Sequence, residues 1–158
     1  INSQYIKNME SVKLSEIICK YWNIMGWSPP SQEWALKLVN LIKDSMTLLK
    51  DAIDQSKPFF LIPPIQKDGQ DFLENMDSKA SLKLVFEHLI EQKTTKLENG
   101  NAKEIIKEIS KIHNVKKGTL MKSLRVAFFG SLSGPDLIQS WELFSENKSD
   151  ISRIERCL

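Results

Sequence analysis

Apolar side chains recur along this chain every three or four residues, which is the spacing of an amphipathic α-helix. The first stripe of this kind contains six residues: Leu14, Ile17, Ile18, Tyr21, Trp22 and Met25. Gly26 follows it, and glycine commonly ends a helix. Ser31 can cap a second helix, because its hydroxyl can accept a hydrogen bond from a backbone N–H of the first turn. The next two stripes contain Trp34, Leu38, Leu41, Ile42, Leu48, Leu49, Ala52 and Ile53.

The second half of the chain continues the helical pattern. A helix that begins at Ser78 or Ser81 has on its inner face Leu82, Val85, Phe86, Leu89 and Ile90. Asn101, followed three residues later by Glu104, is a variant of the capping box. It opens a helix whose inner residues are Ile105, Ile109 and Ile112. A helix from Pro135 and a short tail bury Leu137, Trp141, Phe144, Ile151 and Ile154. No alternating strand pair joined by a turn occurs in the sequence, which therefore predicts an all-α fold.

An apolar segment closed by two prolines separates the two halves. It reads Phe59-Phe60-Leu61-Ile62-Pro63-Pro64. Proline is rare inside a sheet, and the residue before a proline prefers an extended backbone. We therefore expect an extended linker that packs between two small helical subdomains, residues 1–66 and 67–158.

The tryptophans could serve either a core or a stacking surface for nucleic-acid bases. Trp22, Trp34 and Trp141 lie on apolar stripes, which favours the core. Trp27 lies beside Gly26 and the prolines, and the pattern leaves both roles open for it.

The sequence gives little support for a metal site, a catalytic triad, a redox pair or a phosphate-binding loop. His88 and His113 have no cysteine or carboxylate at the spacing of a metal site or a catalytic triad, so we expect them to face solvent or end helices. Cys19 and Cys157 lack a C-x-x-C partner, which favours reduced thiols. There is no glycine-rich phosphate loop, and no apolar run reaches the roughly 18 residues that a membrane span requires.

Positive charge is concentrated in one part of the sequence. The net charge is +2, but residues 103–125 carry seven Lys or Arg against two Glu, and the rest of the chain is net negative. Such a segment is typical of a protein that binds a polyanion. The alternative is a solvated helix face with Glu/Lys pairs three and four residues apart, as Lys103, Glu104, Lys107 and Glu108 certainly provide.

The most specific pattern begins at Lys116 and ends at Leu137. It reads K-x-G-x-x-x-x-x-L-R-x-A-x-x-G-x-L-x-G-P-x-L, a basic turn and amphipathic run followed by a turn of small residues. The opening residues INSQYI and the segment from Leu48 to Phe60 supply two further matches, in the same order. Together the three segments resemble the anticodon-binding region of bacterial-type glutamyl-tRNA synthetases, which are class I enzymes. The resemblance implies an α-helical cage that binds the anticodon loop.

The residues of this pattern suit the recognition of single-stranded RNA, in which cations hold phosphates and side chains or backbone groups read bases. Arg125 supplies a planar fork of donors for a base edge. A helix that starts at Gly134-Pro135 would offer backbone N–H groups, and Asp136 in its first turn disfavours a phosphate there. The alternative for this element is an ordinary helix start with an acidic residue that compensates the helix dipole.

The resemblance assigns individual residues. Arg125 matches a family arginine that contacts the anticodon, and Lys107 stands where some members have such an arginine. The loop and helix that pack on the bases correspond to Gly134, Pro135, Leu137 and Ile138. Diffuse positive charge for the phosphates comes from Lys107, Lys116, Lys117 and Lys122.

Ser45 departs from the family pattern. Members that reject tRNA(Gln) can carry an arginine there, which reads the last anticodon base. A serine hydroxyl can donate or accept, so it discriminates poorly between bases. The departure predicts a parent enzyme that charges tRNA(Gln) as well as tRNA(Glu). The alternative is that Ser45 only caps or packs between two helices, and that Lys43 or Lys50 restores selectivity.

The catalytic signatures of the family, the HIGH-type and KMSKS-type motifs, are not in this sequence. The chain also begins at Ile1, inside a motif, so we expect a fragment that follows a catalytic domain in the same polypeptide. We assign no catalytic residue, metal ligand or cofactor to it. The resemblance implies that the full-length enzyme uses ATP and magnesium and is a cytoplasmic monomer. A helical module that binds proteins, or RNA in general, through its basic face is the alternative.

Overall fold

The computed structural model describes residues 10–92, 97 and 101–158, and in those ranges it is built of α-helices without β-strands. This confirms the all-α prediction. The helices are α1 Ser11–Ile24, α2 Gln32–Ile42, α3 Asp51–Phe60, α4 Lys67–Leu73, α5 Met76–Gln92, α6 Asn101–His113, α7 Lys117–Phe129, α8 Leu137–Glu146 and α9 Asp150–Glu155. A short 3-10 turn, Lys43–Ser45, follows α2. The INSQYI motif lies outside the described residues.

The chain divides into two compact units, Ile1–Leu61 and Ile62–Leu158. The boundary lies five residues before the one expected from the sequence. The reason is that the intervening segment is bonded to the second unit. The backbone N–H of Gln66 donates to the Gly130 carbonyl at 2.7 Å, and Arg156 donates to the carbonyls of Pro63 and Ala127.

The first unit is organised around an aromatic cluster. Trp22 and Trp34 are fully buried, as predicted. The ring of Phe60 lies 5.0 Å from that of Trp22 and 5.2 Å from that of Trp34, both edge-on. Trp27, which the sequence left open, stacks on Phe60 at 5.2 Å and is buried. Edge-to-face and offset pairs at these distances stabilise a core beyond the area that they bury.

Helix ends in the first unit follow two of the sequence signals and break a third. Ser31 accepts a hydrogen bond from the Trp34 N–H at 3.1 Å, as a cap should, and Gly26 ends α1 with a φ of +79°. The expectation that Phe59 and Phe60 belong to an extended linker is wrong, because α3 continues through Pro58 to Phe60. The burial of Phe59 and the contacts of the half-buried Phe60 ring offset the backbone bond that the proline removes.

Two further expectations for the first unit need correction. Met25 ends its stripe 47% exposed. Leu48, expected on a buried stripe, is 42% exposed because it precedes α3 instead of lying in it. Its N–H donates to Asp51, which also accepts from the N–H and hydroxyl of Thr47.

Helix α7 is the centre of the second unit. It packs against α4, α5, α6, α8 and α9. The spacing of Leu120, Met121, Leu124 and Phe128 predicts one apolar face; Leu120, Leu124 and Phe128 are fully buried, whereas Met121 is half-buried. Phe128 contacts the rings of Trp141 and Phe144 at 5.7 Å and 5.2 Å. The basic residues of α7 therefore lie on a helix that five other helices of the unit contact.

Buried polar groups also hold the second unit together, and the pattern of apolar residues gave no sign of them. Arg153 is 1% exposed; its Nη1 donates to the Phe128 carbonyl at 2.8 Å and its guanidinium lies 4.0 Å above the Phe144 ring. Burial lowers the pKa of Arg153 to about 10, so the cation persists at neutral pH. The indole N–H of Trp141 donates to Asp150 at 3.2 Å, while burial raises the pKa of Asp150.

Helix α5 begins at Met76, before either serine proposed as its start. Those serines are buried within the helix. Ser78 Oγ pairs with Ser123 Oγ at 2.9 Å, and Ser81 donates to the Asp77 carbonyl. Two isoleucines predicted to be internal are exposed, Ile90 by 50% and Ile112 by 65%. Each lies in the last turn of its helix.

Candidate nucleic-acid interface

One face of α7 presents residues of the sequence motif to solvent. Gly118, Met121, Lys122 and Arg125 are three or four residues apart, so they share this face. Lys122 is exposed, and Met121 and Arg125 are half-buried. A Cβ added to Gly118 would have no atom within 4 Å. No packing within the described structure therefore requires a glycine at this position.

The N-terminus of α7 combines positive charges with the positive end of the helix dipole. Lys116 is the N-cap, but no side chain caps this end, and its first turn contains Lys117 and no acidic residue. Lysine near a helix N-terminus is unfavourable, by about 0.3–1 kcal/mol. The turn before it is nevertheless well fixed, because Ser110 Oγ donates to the Val115 carbonyl at 2.7 Å. The charge is thus concentrated there at some expense of helix stability.

Helix α6 adds a second basic surface in the same unit. Lys103, Lys107 and Lys111 are four residues apart and exposed, so they form a stripe with about 6 Å of helix rise between neighbours. Its buried residues, Ala102, Ile105, Ile106 and Ile109, face the core. Lys107 therefore lies on the solvent side, where its predicted role requires it.

Arg125 is held by the loop that follows its helix. Its Nη1 donates to the Pro135 carbonyl at 2.9 Å and to the Gly134 carbonyl at 3.3 Å. These are the hydrogen bonds of its guanidinium within the described part of the chain, so Nη2 and Nε remain available to a base edge. The structure thus brings Arg125, Gly134 and Pro135 together.

The element after Gly134 differs from the prediction. Pro135 is not the first residue of a helix, because α8 begins at Leu137. Asp136 is the N-cap, and its carboxylate accepts from the Gln139 N–H at 2.9 Å. Asp136 therefore acts locally as an ordinary capping residue. A Cβ at Gly134 would lie 2.8 Å from the Phe129 ring, so packing alone requires that glycine.

The two apolar residues that the resemblance assigns to contact with the bases differ in their exposure. Leu137 is 1% exposed and belongs to the core, so its side chain is not available to RNA. Ile138 is half-buried, and only this member of the pair has a surface that could contact a base. Helical spacing predicts a buried Leu137, as observed, whereas its assignment to the element that packs on the bases came from the resemblance alone.

Asp68, at the start of α4, was missed in the sequence. Its Oδ2 accepts from the Ser131 hydroxyl at 2.8 Å and from the Leu132 N–H at 3.0 Å. Its Oδ1 accepts from the Gly69 N–H at 2.9 Å. The bonds from Leu132 and Ser131 lower the pKa of this carboxyl. No local pattern could indicate this contact, because Asp68 and Ser131 are 63 residues apart.

Ser45 belongs to the first unit, in the 3-10 turn after α2. Its hydroxyl lies within hydrogen-bond distance of the Ile42 carbonyl, at 2.9 Å, and of Gln55 Oε1. Gln55 Nε2 in turn donates to the Ser45 carbonyl at 3.2 Å. The serine therefore connects the turn to α3, which is the packing role that the sequence left open for it.

The two histidines lie on one small cleft between α5 and α6, although each stands alone in the sequence. His88 is half-buried, and His113 ends α6 with its side chain exposed, as expected. Glutamates 87, 91 and 108 line the same cleft. Among the described residues no group of three or more His, Cys, Asp or Glu could hold a metal ion. In the same part of the chain, no helix is long and apolar enough to cross a bilayer.

Comparison with known proteins supports the family resemblance that the motif indicates. The family model described as an anticodon binding domain matches residues 13–158. A glutamate–tRNA ligase from Prochlorococcus marinus strain MIT 9312 is 80% identical over 158 residues, which are all of this chain and 33% of that protein. The corresponding protein of strain MIT 9211 is 44% identical over the same proportions. The chain thus spans about a third of the length of these relatives.

Solved structures share the fold. The chain superposes with a TM-score of 0.84 on a glutamate–tRNA ligase from Elizabethkingia meningosepticum, with 24% identity, over 99% of this chain and 30% of that one. For the enzyme from Elizabethkingia anophelis the TM-score is 0.78, with the same identity and coverage.

Proposed function

Because the chain belongs to the anticodon-binding domain family, we propose that it binds the anticodon loop of tRNA(Glu) as part of a glutamate–tRNA ligase. The sequence identities to proteins of that name support the assignment. The rest of such an enzyme, about two thirds of its length, would supply the catalytic domain in cis. It would join glutamate to tRNA with ATP and magnesium, in the cytoplasm and as a monomer.

The observation that carries the proposal is the fixed orientation of Arg125. Two carbonyl groups, those of Gly134 and Pro135, hold Nη1, while the side chain stays half-exposed beside Lys122 and Met121. A free arginine on a helix would lose its rotamer entropy when it bound a base, at a cost of roughly 1.5–2 kcal/mol. An arginine that is already oriented avoids much of that cost, so more of the contact energy appears as affinity.

The lysines fit a different task. Lys107, Lys116, Lys117 and Lys122 are exposed and carry single charges on flexible stems. They suit phosphates, which need charge near them but carry no base identity. The uncompensated charge at the start of α7 supports this role, because it opposes the helix dipole and does nothing for stability.

The test is to titrate the protein with anticodon stem-loops of glutamate tRNA and of an unrelated tRNA. We expect selective binding of the first. The logarithm of the affinity should fall linearly with the logarithm of the salt concentration, because bound phosphates release counterions. Binding that is insensitive to salt and equal for both RNAs would refute the proposal, and would favour the protein-interaction module.

A pair of variants separates the two kinds of contact. Arg125→Ala should relax anticodon selectivity by about 1–3 kcal/mol, the usual value of a base-reading contact. Lys117→Ala should weaken both stem-loops alike and make the salt dependence shallower. Full selectivity in an Arg125→Ala protein with a normal circular-dichroism spectrum would remove the base-reading role.

We also propose that the full-length enzyme charges tRNA(Gln). The anticodons for glutamate and glutamine differ at their third base, C against G. To reject tRNA(Gln), the enzyme needs a polar group that bonds to the C and is left without a hydrogen-bond partner by the G. The residue type supports the proposal, because Ser45 has a single hydroxyl, within hydrogen-bond distance of Gln55 Oε1, and no arginine fork. Charging of both tRNAs by the wild type, and new rejection of tRNA(Gln) by Ser45→Arg, are expected. A wild type that already rejects tRNA(Gln) strongly would end this idea.

A further inference from the structure

The loop 130–135 of the second unit is held at three successive places. At its start, the Gly130 carbonyl accepts from the Gln66 N–H at 2.7 Å. At its middle, Ser131 and the Leu132 N–H donate to Asp68. At its end, the Gly134 and Pro135 carbonyls accept from Arg125. The first two anchors come from the start of α4, so a distant part of the chain determines the shape of this loop.

The middle anchor is the one supplied by a side chain of α4. Asp68 divides its two oxygens between separate tasks, since Oδ1 accepts from the first turn of its own helix and Oδ2 accepts from the loop. The carboxylate is exposed, so an apolar environment does not strengthen these bonds. Their value lies in the geometry that they impose: two donors on adjacent residues converge on one oxygen.

We propose that Asp68 is a positioning residue for anticodon recognition, because its carboxylate fixes the loop whose far end orients Arg125. This inference rests on the proposed function. Ordering an irregular segment costs backbone conformational entropy. A loop that Asp68 has already ordered presents Arg125 and the Pro135 carbonyl without that cost when RNA binds. Loss of Asp68 should therefore reduce selectivity without removing any contact to RNA.

The experiment compares Asp68→Ala with Asp71→Ala in the natural full-length protein. Asp71 is an exposed carboxylate on the same helix, so both variants remove one negative charge from the same region. Any general gain in RNA affinity should be shared. We expect the ratio of affinities for the glutamate and the unrelated stem-loop to fall about tenfold in Asp68→Ala relative to Asp71→Ala, as for a difference of 1.4 kcal/mol. The salt dependence should not change, because no phosphate contact is lost.

Two further variants distinguish positioning from charge and from a general loss of structure. In Asp68→Asn the amide oxygen can take the place of Oδ2 and accept from both Leu132 and Ser131, with loss of the Gly69 bond, so this variant should retain most of the selectivity. An effect of charge alone would make it lose as much selectivity as Asp68→Ala. In the double variant with Arg125→Ala, Asp68→Ala should add little, because both act through one loop; independent sites would add. Unchanged selectivity in Asp68→Ala, or an equal loss in Asp71→Ala, would overturn the proposal.

Amide hydrogen exchange in the absence of RNA distinguishes a failure of the Asp68 positioning role from a failure of the proposed function. Asp68→Ala should speed exchange at Leu132, which loses its acceptor, and leave the buried helix α7 unchanged. If the wild type shows no anticodon selectivity, both proposals fall even when the loop loosens. If the wild type is selective and the loop loosens without loss of selectivity, the positioning role alone is wrong.

Discussion

Both units of this chain contain an aromatic cluster, but they differ in buried charge. In the first, Phe60 contacts Trp22, Trp27 and Trp34, and no charged side chain among its described residues is buried. The second also buries Arg153, which donates to the Phe128 carbonyl. Apolar packing tolerates many shapes of similar volume, whereas hydrogen bonds to main-chain groups specify one local geometry. The candidate interface around Arg125 lies in the unit of the second kind.

The largest expected loss of stability comes from a substitution in the aromatic cluster of the first unit. Trp22→Ala should lower the free energy of unfolding by about 3–5 kcal/mol, the range for removal of a large buried aromatic side chain. Trp22→Phe should cost much less, because the indole N–H is buried without a partner in the described structure and its loss leaves nothing unsatisfied. Denaturant unfolding followed by circular dichroism measures both. Equal losses in the two variants would mean that the N–H contributes after all.

The same measurement on Arg153 should give a different pattern. Arg153→Ala should cost about 3–5 kcal/mol, because it leaves a cavity and an unpaired carbonyl at Phe128. Arg153→Met fills the volume but supplies no donor, so about 1–3 kcal/mol should remain. A methionine variant as stable as the wild type would show that volume alone matters here. The contrast between the units would then be lost.

A substitution at Gly118 tests the candidate interface, with a smaller expected effect on stability. Alanine is favoured over glycine in a helix by about 0.5–1 kcal/mol, and no described atom obstructs a Cβ at this position. Gly118→Ala should therefore raise the melting temperature slightly. It should also weaken binding of the glutamate stem-loop, because the added methyl group lies on the face that carries Lys122 and Arg125. Tighter or unchanged RNA binding would exclude close approach of RNA to this turn.

The smallest effect concerns the carboxylate of Asp68. Its pKa lies below the ordinary value of 3.8, because of the Leu132 N–H first and the Ser131 hydroxyl second. A lowered carboxyl pKa stabilises the fold above 3.8, and that stabilisation is lost as the pH falls through the lowered value. Ser131→Ala should raise the Asp68 pKa part of the way toward 3.8 in an NMR titration of its carboxyl carbon.

Asp51 serves as the reference in that titration. Its lowered pKa depends on Leu48 and Thr47, which belong to the other unit, so Ser131→Ala should leave it unchanged. A shift of both carboxyls would indicate a general change in the protein, and a shift of neither would exclude the Ser131 bond in solution.

Periodicity was enough to predict the long helices. Leu14 and Ile18 in α1, and Leu120 and Leu124 in α7, lie inward as their spacing requires. Helix α4 was missed, because seven residues are too few to show a stripe. Its position depends on Gly69, which allows the Gly130 carbonyl to approach closely. Such a contact between distant backbone segments leaves no local pattern.

For the candidate site, the sequence could predict the exposure of the charged residues. The lysines and Arg125 were identified from the motif, and all lie at the surface or half-buried. The resemblance assigned Leu137 to the element that packs on the bases, but its side chain is buried, as its helical spacing predicts. Asp68 could not be identified, because its role arises only when two segments 63 residues apart meet. The burial of Arg153 was equally invisible, since arginine is mostly an exposed residue.

The meeting of Gly69 and Gly130 has a consequence for how this sequence can change over generations. A methyl group on Gly69 would lie 2.7 Å from the Gly130 carbonyl oxygen, and one on Gly130 would lie 2.1 Å from that of Pro64. Gly130 also has a φ of +74°, which other residues rarely adopt. Each position therefore excludes a side chain on its own account, so lineages that diverge elsewhere should keep both glycines.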